Sequence, residues 1–179
     1  MTTKNNWLPP LQKEIILLLS KEGPLTKHGI AKKLDKSYKN VDFALNSLET
    51  KKLIEPSGTK HYRNQRFNTY WLTLKGVVEA FVNGASIQQL KVLTENVLKQ
   101  KSEHLDVFFD LMASLKRKNA RKILGMIDFS NGRPRLISID LNIMNEKETR
   151  KVLRVVKKYE SYRRKVKQAL QSVIDELEA

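Results

Sequence analysis

Several residue types are scarce in this sequence. The 179 residues include no cysteine, five prolines and seven glycines. Without cysteine, disulfide bonds, thiolate nucleophiles and cysteine-ligated zinc are excluded. The longest uninterrupted apolar run, Ile15 to Leu19, is too short to cross a bilayer. The first ten residues lack the apolar core of a signal peptide. We therefore expect a cytoplasmic protein with no membrane partner.

Acidic residues are also scarce relative to basic ones. There are 34 Lys and Arg against 19 Asp and Glu, which gives a net charge of +15. Residues 1–84 contribute 14 basic and 7 acidic groups, or +7, and residues 85–179 contribute 20 and 12, or +8. A lysine-rich surface can simply keep a protein in solution, but this excess favours a polyanionic partner. A membrane surface is the weaker candidate, since no segment combines a basic face with a wide apolar one.

Catalytic signatures are missing as well. The three histidines, His28, His61 and His104, are not spaced as metal ligands, and no Asp or Glu cluster accompanies them. The sequence has no phosphate-cradling glycine loop, no nucleophile elbow and no HExxH motif. We expect neither an enzyme nor a bound metal or cofactor.

The first half of the chain predicts three helices. One follows Pro9-Pro10 and ends at Gly23, and its apolar positions are Leu11, Ile15, Leu18 and Leu19. Thr26 is the expected N-cap of a short second helix that ends in a tight corner at Asp35-Lys36. Ser37 is the N-cap of a third helix, predicted to run to about Lys51. Its inward row has helical spacing and consists of Val41, Ala44, Leu45 and Leu48.

A β-hairpin and a fourth helix are predicted next. Residues 53–55 have the composition of a short strand, which Pro56-Ser57-Gly58 either ends or kinks. Residues 59–63 and 69–74 are rich in Tyr, Trp and Thr, which predicts the two arms of a hairpin. The polar segment RNQRFN would connect them. Thr73 is the expected N-cap of a helix that ends at Gly84.

Three helices followed by a basic hairpin form the winged-helix variant of the helix-turn-helix. Two phrases carry a more specific resemblance: PLTKHGIAKKLDKSYKNVDFALNSLETKKLIE and YWLTLKG. They resemble the recognition-helix block and the end of the wing in small regulators of the MarR and PadR type. The resemblance covers residues 8–84 and implies DNA binding. This sequence departs from the family pattern at Lys52, where many relatives have glycine, so a less sharp helix end is expected there.

The outward face of the third helix is the first candidate site. A merely solvated face would be richer in Glu and Lys, whereas Asn, Ser, Tyr and Lys bond to base edges and phosphates. Phe43 is either a base contact or a core residue, and Asp42 is expected to pair locally, cap the helix or accept a hydrogen bond from a cytosine amine. The candidate DNA-binding residues here are Ser37, Tyr38, Lys39, Asn40, Phe43, Asn46 and Ser47.

The hairpin is the second candidate site. It contributes Lys60, His61, Arg63 and Arg66, and no acidic residue occurs between Lys60 and Lys75. Hairpin tips are usually polar, but the missing carboxylates favour arginines that contact phosphates or a narrow minor groove. Trp71 is expected to pack rather than to bind.

The second half is predicted to be helical. Helices are expected from Ser86, from Ser102 to Lys118 and over residues 119–126. Residues 126–143 fit a hairpin or an extended loop, with a slight preference for the loop. A long helix begins after Asn145, where Val152, Tyr159, Val166 and Val173 recur every seven residues. This indicates either a coiled-coil dimer interface or a helix packed along its own domain.

Together these patterns predict a mainly α-helical protein. We expect an N-terminal winged helix-turn-helix domain with a small β-hairpin wing over residues 1–84. Residues 85–179 would form a helical domain with a long terminal helix that forms a homodimer. The expected function is sequence-selective binding of double-stranded DNA by a nucleoid-associated transcriptional regulator. The alternatives are a protein-interaction module in a transcription or replication assembly, and a non-specific architectural DNA- or RNA-binding protein. The sequence shows no recognisable effector pocket, and it leaves open whether the regulator responds to a small-molecule effector.

Overall fold

The computed structural model describes residues 8–99, 103–125, 127–128, 135–136 and 144–177. The chain divides into two compact units, residues 1–101 and 102–179. The expected division after Gly84 therefore lies inside the first unit. The following helix, α5 (Ile87–Leu98), belongs to the first unit because it packs on the first helix, where the Gln89 Nε2 donates to the Lys21 carbonyl at 3.0 Å.

Four further helices build the first unit: α1 (Pro10–Glu22), α2 (Lys27–Leu34), α3 (Tyr38–Thr50) and α4 (Leu74–Val82). The expected caps of α2, α3 and α4 are present, since the Thr26, Ser37 and Thr73 hydroxyls each accept from a backbone N–H three residues on. Ser86 stands before α5, but its hydroxyl donates to the Gln88 side chain instead.

The core of the first unit lies between α1, α2, α3 and α4. The inward row of α3 is as predicted, and Leu45 and Leu48 are fully buried. In α1 the buried positions are Ile15, Ile16 and Leu19, whereas Leu18 is half-buried. The buried face of α1 is therefore rotated relative to the predicted apolar stripe. This is because α1 is covered by α3 on one side and by α4 and α5 on another.

A three-stranded antiparallel sheet forms the wing. Its strands β1 (Leu25–Thr26), β2 (Ile54–Tyr62) and β3 (Gln65–Leu72) lie in the order β1-β3-β2. β2 is continuous, with an irregular register between Pro56 and Gly58, so the proline segment kinks the strand rather than ending it. The arms are longer than predicted, and their connection is two residues instead of six. β1 was not predicted, since two residues are too few to show a period.

The end of α3 is sharp, contrary to the expectation drawn from Lys52. The Leu53 N–H reaches back to the Leu48 carbonyl at 2.9 Å and the Lys52 N–H to the Glu49 carbonyl at 2.8 Å. Lys52 itself has φ +55. This is the Schellman arrangement with a left-handed residue after the helix, formed here by lysine in place of glycine.

Gly76 lies where the first turn of α4 meets the backbone that follows α3. A Cβ atom at this position would lie 1.9 Å from the Leu53 carbonyl oxygen. The same oxygen accepts from the Thr73 N–H at 3.1 Å. The glycine of the phrase YWLTLKG is therefore required by the close approach of two backbones, since any larger residue would push α4 away from the base of the wing.

The second unit contains α6 (Glu103–Ser114), a 3-10 helix (Arg117–Gly125), the short strands β4 (Ile127–Asp128) and β5 (Arg135–Leu136), and α7 (Glu146–Leu177). β4 and β5 pair antiparallel, so the preference for a loop is wrong at these residues, and the hairpin alternative holds for them. The rest of 126–143 lies outside the described residues. In the described part of the chain, no helix is long and apolar enough to cross a membrane.

Glu148 holds the start of α7 against the 3-10 helix. Its buried carboxylate accepts from the Lys116 N–H at 2.7 Å, the Asn119 amide at 3.0 Å and the Asn145 N–H at 3.2 Å. In return the Asn145 side chain accepts from the Glu148 N–H at 2.9 Å, which completes a reciprocal cap. Burial by itself would raise the Glu148 pKa, but the donated hydrogen bonds lower it below the ordinary value.

Glu148→Gln tests this carboxylate. A lowered folded-state pKa means that the charge stabilises the protein above the ordinary carboxyl pKa, and that this stabilisation disappears as pH falls through the folded value. At pH 7 the variant should lose about 1.5–3 kcal/mol of unfolding free energy, and the difference from the wild type should shrink in acid. Urea denaturation at both pH values measures it. Glu146→Gln, at an exposed position, is the control. A difference independent of pH would contradict the assignment.

Gly76→Ala should destabilise the first unit by about 1–3 kcal/mol, because the new methyl group overlaps the Leu53 carbonyl and the backbone must shift. Thermal and urea unfolding measure the loss. Gly58→Ala is the matched control, since a Cβ there lies 3.5 Å from its nearest neighbour, the Thr69 hydroxyl. Equal stability of the two variants would show that the approach of α4 is not tight.

Candidate nucleic-acid interface

The outer face of α3 is exposed along its length. Phe43 is 64% exposed and Tyr38 is 56% exposed, and Lys39, Asn40 and Asn46 are exposed beside them. Phe43 is therefore a surface residue, and the alternative that it belongs to the core is wrong. The Lys39 ammonium lies 6.0 Å from the centre of its ring. An exposed aromatic ring flanked by amides and a cation is a surface able to contact bases and phosphates.

Asp42 pairs locally, one of the roles expected for it. Its carboxylate accepts a hydrogen bond from the Lys27 ammonium at the start of α2. This hydrogen bond raises the Lys27 pKa, against the opposing effect of burial. Lys27 also lies 5.9 Å from the centre of the Tyr70 ring on β3. Asp42 of α3 and Tyr70 of the wing thus both lie next to the Lys27 ammonium of α2. The pairing with Lys27 holds the Asp42 carboxylate away from the outer face of α3.

Ser47 is the one predicted α3 residue that turns toward the core. Its hydroxyl accepts from the Gln12 amide of α1 at 2.9 Å, and the Gln12 oxygen accepts from the Lys51 ammonium at 2.8 Å. Gln12 is buried and Ser47 half-buried. The structure therefore places Ser47 in the contact between α1 and α3. The other six α3 candidates, Ser37, Tyr38, Lys39, Asn40, Phe43 and Asn46, are exposed.

The wing tip is a two-residue turn made by Arg63 and Asn64. Both residues have positive φ, +46 and +63, as the type I′ hairpin turn requires. Asparagine adopts this conformation readily, whereas arginine does so at a cost of about 1–2 kcal/mol. The Arg63 guanidinium lies 5.3 Å from the centre of the exposed Tyr62 ring. The turn therefore carries an exposed guanidinium at a position where glycine would suit the backbone better.

A cleft of about 1170 Å³ lies between the wing and the starts of α2 and α3. Its basic lining consists of Lys27, Lys32, Lys60, Arg63 and Arg66, together with His28 and His61. Tyr38, Tyr62, Phe67 and Tyr70 add aromatic rings. None of the described residues that line the cleft is Asp or Glu. A cleft lined by one sign of charge concentrates its field and attracts a polyanion.

The cleft brings together five of the eleven predicted site residues: Tyr38, Lys60, His61, Arg63 and Arg66. The remaining exposed candidates lie along α3. α2 also contributes Lys27, His28 and Lys32, which were not among the predicted site residues. The sequence signal for this contribution is the charge of the segment KHGIAKK, whereas α2 was predicted from its N-cap and from the corner that ends it. Within the described parts of the chain, no group of three His, Cys, Asp or Glu side chains could hold a metal ion.

Comparison with solved structures finds similar chains. A mutant of ZitR from Lactococcus lactis is 26% identical, with a TM-score of 0.39, over 66% of this chain and 80% of that chain. MepR from Staphylococcus aureus, a transcription regulator of the multidrug efflux pump MepA, is 22% identical, with a TM-score of 0.36, over 66% and 78%. Wild-type ZitR in complex with DNA is 21% identical, with a TM-score of 0.34, over 70% and 75%.

ZitR and MepR are winged-helix regulators of the MarR family, the type that the two sequence phrases resemble. No protein-family model matches the chain, and no curated protein matches it. The assignment of the winged-helix fold to this chain rests on its own order of helices and on the pairing of its three strands.

Arg63→Gly and Arg63→Ala remove the same guanidinium but differ in backbone freedom. Glycine adopts positive φ without a steric penalty, so the glycine variant should be more stable than the alanine variant by about 1 kcal/mol. Urea denaturation measures the difference. The same pair of substitutions at Arg66, a strand residue, is the control and should favour alanine. Equal stability of the two Arg63 variants would contradict the turn geometry.

Proposed function

We propose that this protein binds double-stranded DNA with sequence selectivity, as a transcriptional regulator. The observation that carries the proposal is the continuity of two surfaces in the first unit. The exposed face of α3 leads at Tyr38 into the basic cleft beneath the wing, and no described residue in that cleft lining carries a carboxylate. A helix face of amides and an aromatic ring beside a basic hairpin fits the two parts of duplex recognition, base edges and phosphates.

α3 is the proposed major-groove helix. With 13 residues it is about 20 Å long, and the major groove of B-DNA admits one α-helix. Asn40 and Asn46 are exposed six positions apart on it, and the amide of either can pair bidentately with adenine. Phe43 lies between them and would contact a thymine methyl. Because the Asp42 carboxylate is paired with Lys27, it would repel the DNA phosphates less strongly.

The wing is the proposed backbone contact. Arg63 at the tip and Arg66 on β3 are both exposed, and His61 is paired in register with Arg66. Directly opposed residues of an antiparallel pair place their side chains on the same face of the sheet. These side chains would lie along the phosphates next to the groove that α3 enters.

A homodimer through the C-terminal helices completes the proposal. α7 has 32 residues, which corresponds to about 48 Å. The first heptad position, Val152, is 1% exposed and packs within the second unit. The helix therefore packs along its own unit at its N-terminal end, and the side chains of Val166 and Val173 lie outside the described residues. A two-fold dimer would present two copies of α3 to half-sites about one helical turn apart.

One observation favours the second candidate, a protein-interaction module. Phe43 is 64% exposed and Tyr38 is 56% exposed, and exposed aromatic side chains commonly anchor protein interfaces. The two candidates differ in their response to salt. A protein interface centred on Phe43 would bind a co-purifying partner and show weak affinity for every duplex.

Duplex binding over a salt series tests the proposal. The logarithm of affinity should fall linearly with the logarithm of salt concentration, by about 0.9 per phosphate contact. Arg63→Ala with Arg66→Ala should weaken binding to all sequences alike and reduce this slope. Lys13→Ala with Lys21→Ala, at exposed sites on α1, is the charge-matched control. An affinity for duplex DNA that hardly depends on salt concentration would contradict the proposal.

Asn40→Ala and Asn46→Ala address selectivity. Each should change which duplexes are enriched from a random pool and cost about 1–3 kcal/mol on the preferred site, while leaving the salt slope unchanged. Ser47→Ala is the contrasting variant, because its hydroxyl faces Gln12 and should alter stability instead of sequence preference. Identical selected pools for the wild type and both Asn variants would favour non-specific binding.

A further inference from the structure

The outer face of α7 carries a long basic stripe. Between residues 147 and 164 the exposed positions include seven bases and one acid, Glu160. The bases are Lys147, Arg150, Lys151, Arg154, Lys157, Lys158 and Arg164. We call these seven residues the α7 basic stripe. From its first member to its last the helix rises about 26 Å.

The stripe lies opposite the side of α7 that packs within its unit. At 3.6 residues per turn, all seven bases fall in an arc of about 140° centred opposite Val152. Val152 is buried, and Val155 and Val156 are half-buried. The packing row and the stripe are thus separate faces of one helix, so occupation of one leaves the other free.

Few carboxylates neutralise the stripe. Arg150 pairs with Glu146, and Lys158 pairs with Asp110 at 3.2 Å. Among the described residues no carboxylate pairs with Lys147, Lys151, Arg154, Lys157 or Arg164. A solvated helix face normally alternates the sign of its charges, because like charges three or four residues apart repel each other. Here that repulsion is repeated along about five turns, which a bound polyanion would relieve.

The geometry suits a phosphate backbone better than a membrane surface. An interfacial helix needs an exposed apolar face to insert, and Leu153, at 38% exposed, is the one large exposed hydrophobic among the described side chains of α7. Duplex DNA carries one phosphate charge per about 1.7 Å of its axis, so a stripe of this length can reach several phosphates.

We propose that the α7 basic stripe is a second surface for the phosphate backbone of duplex DNA, separate from α3 and the wing. The proposal rests on the proposed function in taking duplex DNA as the partner, but it requires no contact by α3. In this proposal the stripe makes no base-specific contacts. It adds sequence-independent affinity through a surface that belongs to the second unit alone.

The test uses the full chain and a 40-base-pair duplex of random sequence, titrated over a salt series. The variant Lys151→Gln, Arg154→Gln, Lys157→Gln should bind more weakly and reduce the slope of log affinity against log salt by up to about 2.7, or about 0.9 for each contact. The control Lys13→Gln, Lys21→Gln, Lys99→Gln removes the same charge from exposed sites in the first unit. The single variant Arg154→Gln, which perturbs the helix least, should reduce the slope by about 0.9.

The outcomes separate this proposal from the proposed function. If the α7 variants behave like the control while Arg63→Ala with Arg66→Ala loses affinity, the stripe is not a DNA surface and the winged-helix proposal stands. If the α7 variants lose affinity while the wing variant does not, the stripe stands and the winged-helix proposal fails. Unchanged duplex binding together with lost binding to vesicles of anionic lipid would overturn the stripe proposal in favour of a membrane surface.

Discussion

The position of the wing depends on one backbone junction. Where α3 ends, three consecutive carbonyl groups each accept a hydrogen bond from the start of α4. The Lys51 carbonyl accepts from the Lys75 ammonium at 3.0 Å, the Lys52 carbonyl from the Thr73 hydroxyl at 2.7 Å, and the Leu53 carbonyl from the Thr73 N–H at 3.1 Å. The left-handed Lys52 directs the chain into β2, and Gly76 lets α4 approach closely. Because β3 leads directly into Thr73, the angle between α3 and the wing is set here.

In addition to this backbone junction, the Lys27–Asp42 ion pair supplies an electrostatic contact. The Lys27 ammonium is bound by Asp42 and lies near the Tyr70 ring, so it joins α2, α3 and β3 at the back of the cleft. Both partners of this pair are partly exposed, so its contribution to stability is small, about 0–1 kcal/mol. Its larger effect is on the surface charge. The carboxylate nearest the outer face of α3 is paired, and no described residue of the cleft lining is an acid that would oppose the remaining bases.

The sequence predicted most of the first unit because its signals are local. Capping hydroxyls at Thr26, Ser37 and Thr73 and the inward row of α3 depend on residues a few positions apart. What it could not predict depends on partners far along the chain. Ser47 turns inward because Gln12 of α1 reaches it, and β1 exists because β3 lies beside it. The sequence also left open whether Phe43 is buried or exposed, because this too depends on residues far along the chain. Helical spacing alone allowed either face, and its exposure followed once α1 covered the opposite side.

α7 has two distinct faces, an apolar row and a basic stripe. In the sequence these two faces could not be told apart, because the heptad residues and the basic residues alternate along the same long helix. The structure separates them, since Val152 is buried whereas Arg154 is exposed. Because Val152 packs within its own unit, the proposed dimer would use the apolar row beyond this packed end, and the basic stripes on the opposite face would stay on the outside of the assembly. Repulsion between like charges then opposes compact dimers at low salt, and a shared polyanion removes that opposition. If both proposals hold, dimerisation and DNA binding through α7 would therefore strengthen each other.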